Sequence, residues 1–441
     1  MNRITSYAAA EAYLLDTIDE VVSRRTSYKL DRMLALLREL GDPHRSYPSV
    51  HVGGTSGKGS TSTMIAAALQ AAGKRTGLHT KPHLHSMTER ARIGGEPIPP
   101  ERFASLLDAM MPAIERTRAE FGRPTYYETL LALSFAYFAA ERVDVAVVEV
   151  GLGGRLDGTN VLVPVVAAIT SVGYDHTDVL GATIEEIAFE KAGIAKAGVP
   201  LVVAPVPPAA EAVIERCAAE AGALVVHVRD VADIRVERVE QAPHAQGVSV
   251  VTKRGTYRVR LEVLGTFQRT NAATAIVALE LLADDLRPSA DAVERGLAGV
   301  ALPGRMEVVS GRPEVVFDIA HNVEKAESLV ASLRERFPGR RFHYVVAIGE
   351  SKDARQILRT LAAVPSTFTF TTFSTGGRQA IRPSLLATIA ESFGSWGRAI
   401  DDPIEAFTVA RRTARIDELV VVTGSTFVVA ALRAWYTPVT V

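Results

Sequence analysis

The feature that most constrains this chain is a short apolar run, PSVHV, that ends in GGTSGKGS and passes directly into the helical run TSTMIAAALQAAG. Strand, glycine loop and helix in that order form a ready anion site, because loop amides and the helix dipole face the same point. Gly53, Gly54, Gly57 and Gly59 let the amides turn inward, with Thr55 and Ser56 between them. Lys58 reaches phosphate oxygens, and Ser60 offers a hydroxyl to magnesium. The common GxxxxGK[ST] pattern is not met, since Val52 stands at its first glycine and Gly59 follows the lysine. A glycine-rich surface turn with a chance lysine would lack the flanking strand and helix. ATP is therefore the expected ligand, although the loop alone does not name the reaction.

The rest of the chain repeats this alternation. A first helix is expected from Ala8 to about Val22, with Tyr13, Leu14 and Ile18 facing a core, and a second over SYKLDRMLALLRELG. Gly41 stops the second helix. RTGLHT, VDVAVVEVG, VVAAIT and VPLVVAP read as strands. ERFASLLDAMMPAIERTRAEF, YYETLLALSFAYFAAERV, IEEIAFEKAGIA and PPAAEAVIERCAAEAGA read as helices. A mostly parallel, helix-covered sheet is the economical arrangement. Between them, PHLHSMTERARIGGEPIP reads as a loop with a small hairpin. Residues 227–263 change to short strands with a turn near Gly255, an antiparallel appendage. NAATAIVALELLADD and DAVERGLAGV are then helices. Pro and Gly in ALPGR mark a hinge. After it, VVFDIAHN, HYVVAIGE, FTFTTFS and ELVVVTG are four strand-like pieces separated by helices. At 441 residues the chain exceeds one ordinary core, and the expected domains are 1–299 and 300–441.

Nothing in the formal net charge of -1 argues for a nucleic-acid-binding protein, and no nucleic-acid partner is expected. The single cysteine, Cys217, excludes an internal disulfide and a thiolate metal cluster. The acidic start lacks the apolar run of a secretory signal, and no apolar stretch reaches about 18 residues, so no membrane partner is expected and a cytoplasmic location is the default. Oligomeric state is not readable.

Several strand ends carry further chemistry. Glu149 closes VDVAVVEV, at the carboxyl end of a buried strand, where α/β proteins bind ligands. A carboxylate is also a good magnesium ligand. Asp157 and Asn160 follow in a loop that they can order. Asp175 and His176 follow VVAAIT. Asp318, His321 and Asn322 follow VVFDIA. Lys191 sits beside Glu190 on a helix, where an ordinary solvated or paired group is the simpler reading. Loss of the lysine or the acids would favour an ATP-binding regulatory protein, and a basic strip with interleaved aromatics would favour a nucleic-acid-dependent ATPase. Neither pattern is present.

In common order over nearly the whole chain, HVGGTSGKGST, KPHLHSMTERARIGGEPI, VVEVGLGGRLDGTN, DHTDVLG, IAFEKAGI, LGTFQRTNAATAI, LPGRMEVV, DIAHNVEKAESL and VVTGSTF resemble the folylpolyglutamate synthase and dihydrofolate synthase family of the Mur ligase superfamily. The resemblance implies an α/β fold: a P-loop-containing Mur-ligase-like ATPase domain with a smaller C-terminal α/β Rossmann-like domain. It implies an ADP-forming acid–amino-acid ligase using ATP and Mg2+, with a folate or dihydropteroate carboxylate and L-glutamate as substrates. A ligase with another carboxylate acceptor remains the alternative.

Carried over by position, Lys58 and its loop hold the terminal phosphates. Ser60 and Glu149 match magnesium-binding positions, and His176 matches a ligand of a second magnesium. Lys191 matches a lysine carbamylated in related enzymes. Asn271 and Arg305 match nucleotide contacts. Asp318 and His321 match a motif beside the nucleotide and the acceptor. Lys352 and Asp353 sit in a family-like loop, and Lys81 and Tyr127 are candidates for acceptor contact. The departures are specific. Ser56 stands where the family usually has Asn, Lys81 where it has Ser, and Phe267 where His is common.

Overall fold

The computed structural model describes residues 3–17, 30–237, 245–373, 375 and 379–437. The helix read from Ala8 is Tyr7–Thr17, with Leu14 fully buried. Ile18 and the expected end at Val22 lie outside the described residues. The second helix is Leu30–Glu39, buried through Met33, Leu36 and Leu37, and Gly41 follows at φ 80° as a left-handed stop.

The described residues divide into two compact units. Gly247–Arg260 and Arg269–Val300 belong with the preceding sequence, while Leu261–Gln268 belongs with the part that starts at Ala301. The chain thus enters the second unit briefly before the long helix Thr266–Glu280.

The first unit holds an eight-stranded sheet. Its strands are β1 (Ser49–Gly53), β2 (Thr76–His79), β3 (Ala91–Ile93), β4 (Glu96–Pro97), β5 (Val145–Glu149), β6 (Val166–Ile169), β7 (Pro200–Val203) and β8 (Leu224–His227). The order is β4-β3-β2-β5-β1-β6-β7-β8. From β2 to β8 all neighbours are parallel, and β3 and β4 add the expected small hairpin antiparallel. Strands β1, β5 and β6 are buried along their whole length. Valine and alanine on both faces suit that position, because helices cover both sides of a parallel sheet.

One helix layer is built on Tyr126–Ala140, with Phe135 and Phe138 packed among Phe103, Leu107 and Ile114. Its start is fixed by a capping box. Thr125 Oγ1 accepts the Glu128 amide, and Glu128 Oε2 accepts the Thr125 amide at 2.8 Å. The opposite layer packs Ile187 and Ile214 over Ile169 and Leu201. The appendage read over 227–263 is a three-stranded sheet, β9 (Ala232–Glu237), β10 (Gln246–Thr252) and β11 (Thr256–Leu261), with β10 central.

The second unit holds six strands: β12 (Glu307–Val309), β13 (Glu314–Phe317), β14 (Phe342–Val346), β15 (Ser366–Phe370), β16 (Gly397–Ala399) and β17 (Leu419–Thr423), in the order β12-β13-β17-β14-β15-β16. The four expected strands are the central four. The two edges, each three residues long, are additional. Its core gathers Val316, Leu329, Tyr344, Phe370 and Val421. Among the described residues, no helix is long and apolar enough to cross a membrane.

Candidate active site

Strand β1 lies between β5 and β6, with Val52 opposite Glu149 and Gly53 opposite Ile169. Successive connections leave to opposite sides of β1, which makes its carboxyl end a switch point of the sheet. The glycine loop therefore starts one strand spacing from Glu149, about 5 Å. The helix after it runs Lys58–Ala71, three residues earlier than the apolar pattern suggested, so Lys58 opens the first turn.

The loop carbonyls are satisfied from within the protein. Gly53 O accepts the Thr170 amide at 3.0 Å, and Gly57 O accepts the Thr61 amide at 2.9 Å. Lys58 Nζ donates to Gly54 O at 2.9 Å and to Thr55 O at 3.0 Å. The helix start is different. Its cap is Gly57 at φ 84°, and no side chain caps it. By helix geometry the first-turn amides of Lys58, Gly59 and Ser60 point out of the helix end. An anion is the complement of such an end. The buried hydroxyls of Thr61 and Ser62 on this helix lack hydrogen-bond partners among the described residues. A β-carbon on Gly57 would come 2.4 Å from Asn271 Oδ1. Asn271, a nucleotide candidate from the sequence, thus sits directly against the glycine loop.

Ser60 is 1% exposed and Glu149 3%. Glu149 Oε2 accepts the backbone amide of Lys81 at 3.0 Å, next to the cis Lys81–Pro82 bond. Oxygen donors of this kind suit a hard divalent cation such as magnesium. The loop 151–160 is ordered by the two residues singled out for it. Asp157 accepts the amides of Leu152 and Thr159, the Thr159 hydroxyl, and the Tyr127 hydroxyl at 3.2 Å. Asn160 Nδ2 donates to Arg155 O and Gly193 O. Tyr127 therefore braces this loop. Burial, reinforced by Asp157, pushes its phenol well above the ordinary range. Tyr126 is a core residue, with the Arg90 guanidinium 5.2 Å from its ring centre. The Glu89 carboxylate takes the amides of Leu84, His85 and Ser86.

Lys191 is 2% exposed on the helix Ile184–Ala192, so the solvated-lysine reading does not apply. Its neighbour Glu190 is buried and paired with Arg155 at 2.9 Å. His176 is exposed at φ 51°, with Nε2 3.9 Å from Asp175 Oδ1.

In the second unit, Asp318 follows β13. Its Oδ2 accepts the Met306 amide and its Oδ1 the Ala320 amide, both at 2.8 Å. Burial raises its carboxyl to about 6, against the opposing pull of those bonds and of Arg305 and Lys325. The LPGRM turn carrying Arg305 is thereby tied to the Asp318 loop, as the Ile319 amide also donates to Gly304 O. His321 Nδ1 donates to Ile319 O at 2.8 Å, which leaves Nε2 as the acceptor facing Lys325 Nζ at 3.3 Å. Lys325 was missed in the sequence, although its position four residues after His321 at a helix start is a readable signal. Asp353 caps the helix Ala354–Leu361 by accepting the Gln356 amide, and Lys352 precedes it, half-buried.

Residues 52–279 match the Mur ligase middle domain, and residues 304–426 match the Mur ligase glutamate ligase domain. The dihydrofolate synthase/folylpolyglutamate synthase of Bacillus subtilis (strain 168) is 36% identical over 409 residues, covering 92% of this chain and 94% of its own. The protein of the same description from Mycobacterium tuberculosis is 37% identical over 387 residues, covering 84% and 79%. Among solved structures, M. tuberculosis folylpolyglutamate synthase complexed with ADP and AMPPCP superposes with a TM-score of 0.87 at 33% identity, covering 98% of each chain. A bifunctional folylpolyglutamate synthase/dihydrofolate synthase with Mn, AMPPNP and L-glutamate bound gives 0.83 at 28% identity over 99% of each. The motifs, the two sheets and these similarities agree, and the chain belongs to the folylpolyglutamate synthase/dihydrofolate synthase family of Mur ligases.

Proposed function

We propose that this chain is an ATP-dependent, ADP-forming ligase that joins L-glutamate to the carboxylate of dihydropteroate or a reduced folate. The observation that carries this reading is the uncapped helix start behind the glycine loop, with Lys58 in its first turn and Glu149 on the adjoining strand end.

A free carboxylate is a poor electrophile. Transfer of the terminal phosphoryl group of ATP to it gives an acyl phosphate and ADP. The glutamate amine then attacks the acyl carbon, the C–O bond to phosphate breaks, and an amide and inorganic phosphate remain. Lys58 and the first-turn amides hold the terminal phosphates and stabilise the charge that develops during transfer. Ser60 and Glu149 would hold magnesium, which would supply charge neutralisation at the phosphates. His176 and a carbamylated Lys191 are assigned to a second metal. Asn271 and Arg305 contact the nucleotide. Asp318 shapes the Arg305 turn, and His321 and Lys352 serve the substrate side of the second unit. Lys81 and Tyr127 lie on the acceptor side of the first, where Tyr127 acts chiefly by bracing Asp157.

The test is a panel of carboxylate acceptors and amino acids with ATP and magnesium, reading phosphate release and product mass together. Glutamate-dependent conversion of dihydropteroate or a reduced folate is the expected result. Efficient ligation of another carboxylate, with neither pteridine turned over, would leave the ligase chemistry standing and overturn the acceptor.

A further inference from the structure

The glycine loop is held from behind by the four residues that leave β6, Thr170, Ser171, Val172 and Gly173. Ser171 Oγ accepts the Ser56 amide at 2.8 Å and lies 3.0 Å from Ser56 O, to which it donates. Thr170 Oγ1 is 2.6 Å from the same carbonyl and 3.1 Å from Gly53 O. The Ser171 carbonyl accepts the Thr55 amide at 2.9 Å. Thr55 Oγ1 donates to Gly173 O at 3.1 Å and accepts the Gly173 amide at 3.0 Å. Both polar groups of the Ser56 peptide are thus engaged by one serine hydroxyl.

The approach is close enough to exclude a side chain. Gly54 has φ 136°, and a β-carbon there would stand 2.2 Å from Thr170 Oγ1. This glycine serves the strap behind the loop. Thr170 is 4% exposed, so removing its hydroxyl takes one of two donors from the Ser56 and Gly53 carbonyls where water does not replace it.

We propose that Thr170 and Ser171 are positioning residues for the phosphate loop, their hydroxyls fixing the Ser56 peptide so that the amides of Lys58, Gly59 and Ser60 converge on the terminal phosphates of a nucleotide. A loop that must bind a polyanion gains from being formed in advance, since ordering it on binding subtracts from affinity. Only hydroxyls fill the role, because Ser171 Oγ has to accept and donate at once. The assignment deepens the ligase reading and rests on the loop being its phosphate site.

The test uses the full chain with magnesium and ADP as the binding probe, followed by calorimetry, alongside KM for ATP, kcat and melting temperature. Ser171→Ala and Thr170→Val should each weaken ADP binding by roughly tenfold and raise KM for ATP in step, with kcat changed less. Thr170→Ser keeps the donor and should bind ADP as the parent does. Ser171→Ala and Thr170→Val proteins that fold and bind ADP with parent affinity overturn the assignment. So does a loss in Thr170→Ser equal to that in Thr170→Val, which would trace the effect to packing. Should either loss variant fail to fold, Thr170→Ser and Ser171→Thr decide, with ADP affinity near the parent value supporting the strap and a tenfold loss overturning it. A parent chain that does not bind ADP would instead overturn the ligase reading. ADP affinity does not depend on the acceptor, so the two failures separate.

Discussion

Glu149 and Lys81 are joined by a bond that involves no lysine charge: the carboxylate accepts the Lys81 backbone amide at 3.0 Å. The residue proposed to bind magnesium is therefore oriented by the backbone of the segment in which this chain departs from its family. The bond separates two roles that a single substitution to alanine would merge. Glu149→Gln keeps an oxygen for the Lys81 amide but removes the charge that a divalent cation requires. We expect a melting temperature within a few degrees of the parent, a fall in turnover of about 10²-fold or more, and a higher magnesium concentration for half-activation. A magnesium titration of initial rate checks this. Parent activity at low magnesium would remove Glu149 from the metal site.

Lys58 spans the loop by donating to Gly54 O and Thr55 O. Its replacement affects the loop as well as the phosphates. Lys58→Ala should retain the folded circular dichroism spectrum, with a stability loss of about 1–2 kcal/mol from the two bonds. Turnover should fall by at least 10²-fold, as expected when a charge aimed at the transferring group is removed. Near-parent product formation by the purified variant would contradict the assignment.

The β–α alternation of the first unit was legible because its central strands are apolar on both faces and its helices are long. Three of the edge strands were not. β8 (Leu224–His227), β12 and β16 have three or four residues, too few for periodicity to separate them from loop. The glycine loop, Glu149, Asp157 and Asn160 were readable because a strand end or glycine run frames each one. The strap through Thr170 and Ser171 was not, since its bonds join residues more than a hundred positions apart and follow no spacing rule. Lys191 illustrates the converse. Its sequence neighbourhood suggests a surface charge, and burial to 2% comes from the packing of its helix against the 151–160 loop, which the Arg155–Glu190 pair and Asn160 fasten.

Asp318 gives a pH dependence with two opposite signs. Burial raises its carboxyl from 3.8 to about 6 in the folded chain. Between those values the folded state binds the extra proton. The stability this contributes is fully present below about pH 4 and is lost as pH rises through about 6, on the order of 2–3 kcal/mol. Activity should run the other way. The Met306 and Ala320 amides point at different oxygens of the group, and the ionised form accepts both more strongly than the protonated one. We expect kcat/KM to fall as pH drops through about 6 while the Asp318 contribution to stability grows. Denaturant midpoints and initial rates over pH 4.5–7.5 check both limbs, and carbon-13 NMR of labelled aspartate locates the midpoint. A titration near 4 would show that the group is better solvated than its burial implies.

The carbamate assigned to Lys191 is the most demanding prediction. Carbon dioxide adds to a neutral amine, and the product exchanges a cation for an anion. On an exposed lysine nothing would favour the product. At 2% exposure, Lys191 is sheltered from the water that stabilises its charged form. A divalent cation placed by His176 would then favour the anion. Three outcomes are expected together. Parent protein supplied with carbon-13 bicarbonate should show a carbamate carbonyl resonance. Lys191→Ala should lose turnover by about 10²-fold, and lose that resonance. A short carboxylic acid such as acetate should restore part of the rate to Lys191→Ala by supplying the missing oxygens, with no effect on Lys58→Ala. A high-resolution map of the active, metal-loaded enzyme with an unmodified Lys191 turned from the metal would sink the assignment, and the second metal would then need another anionic ligand.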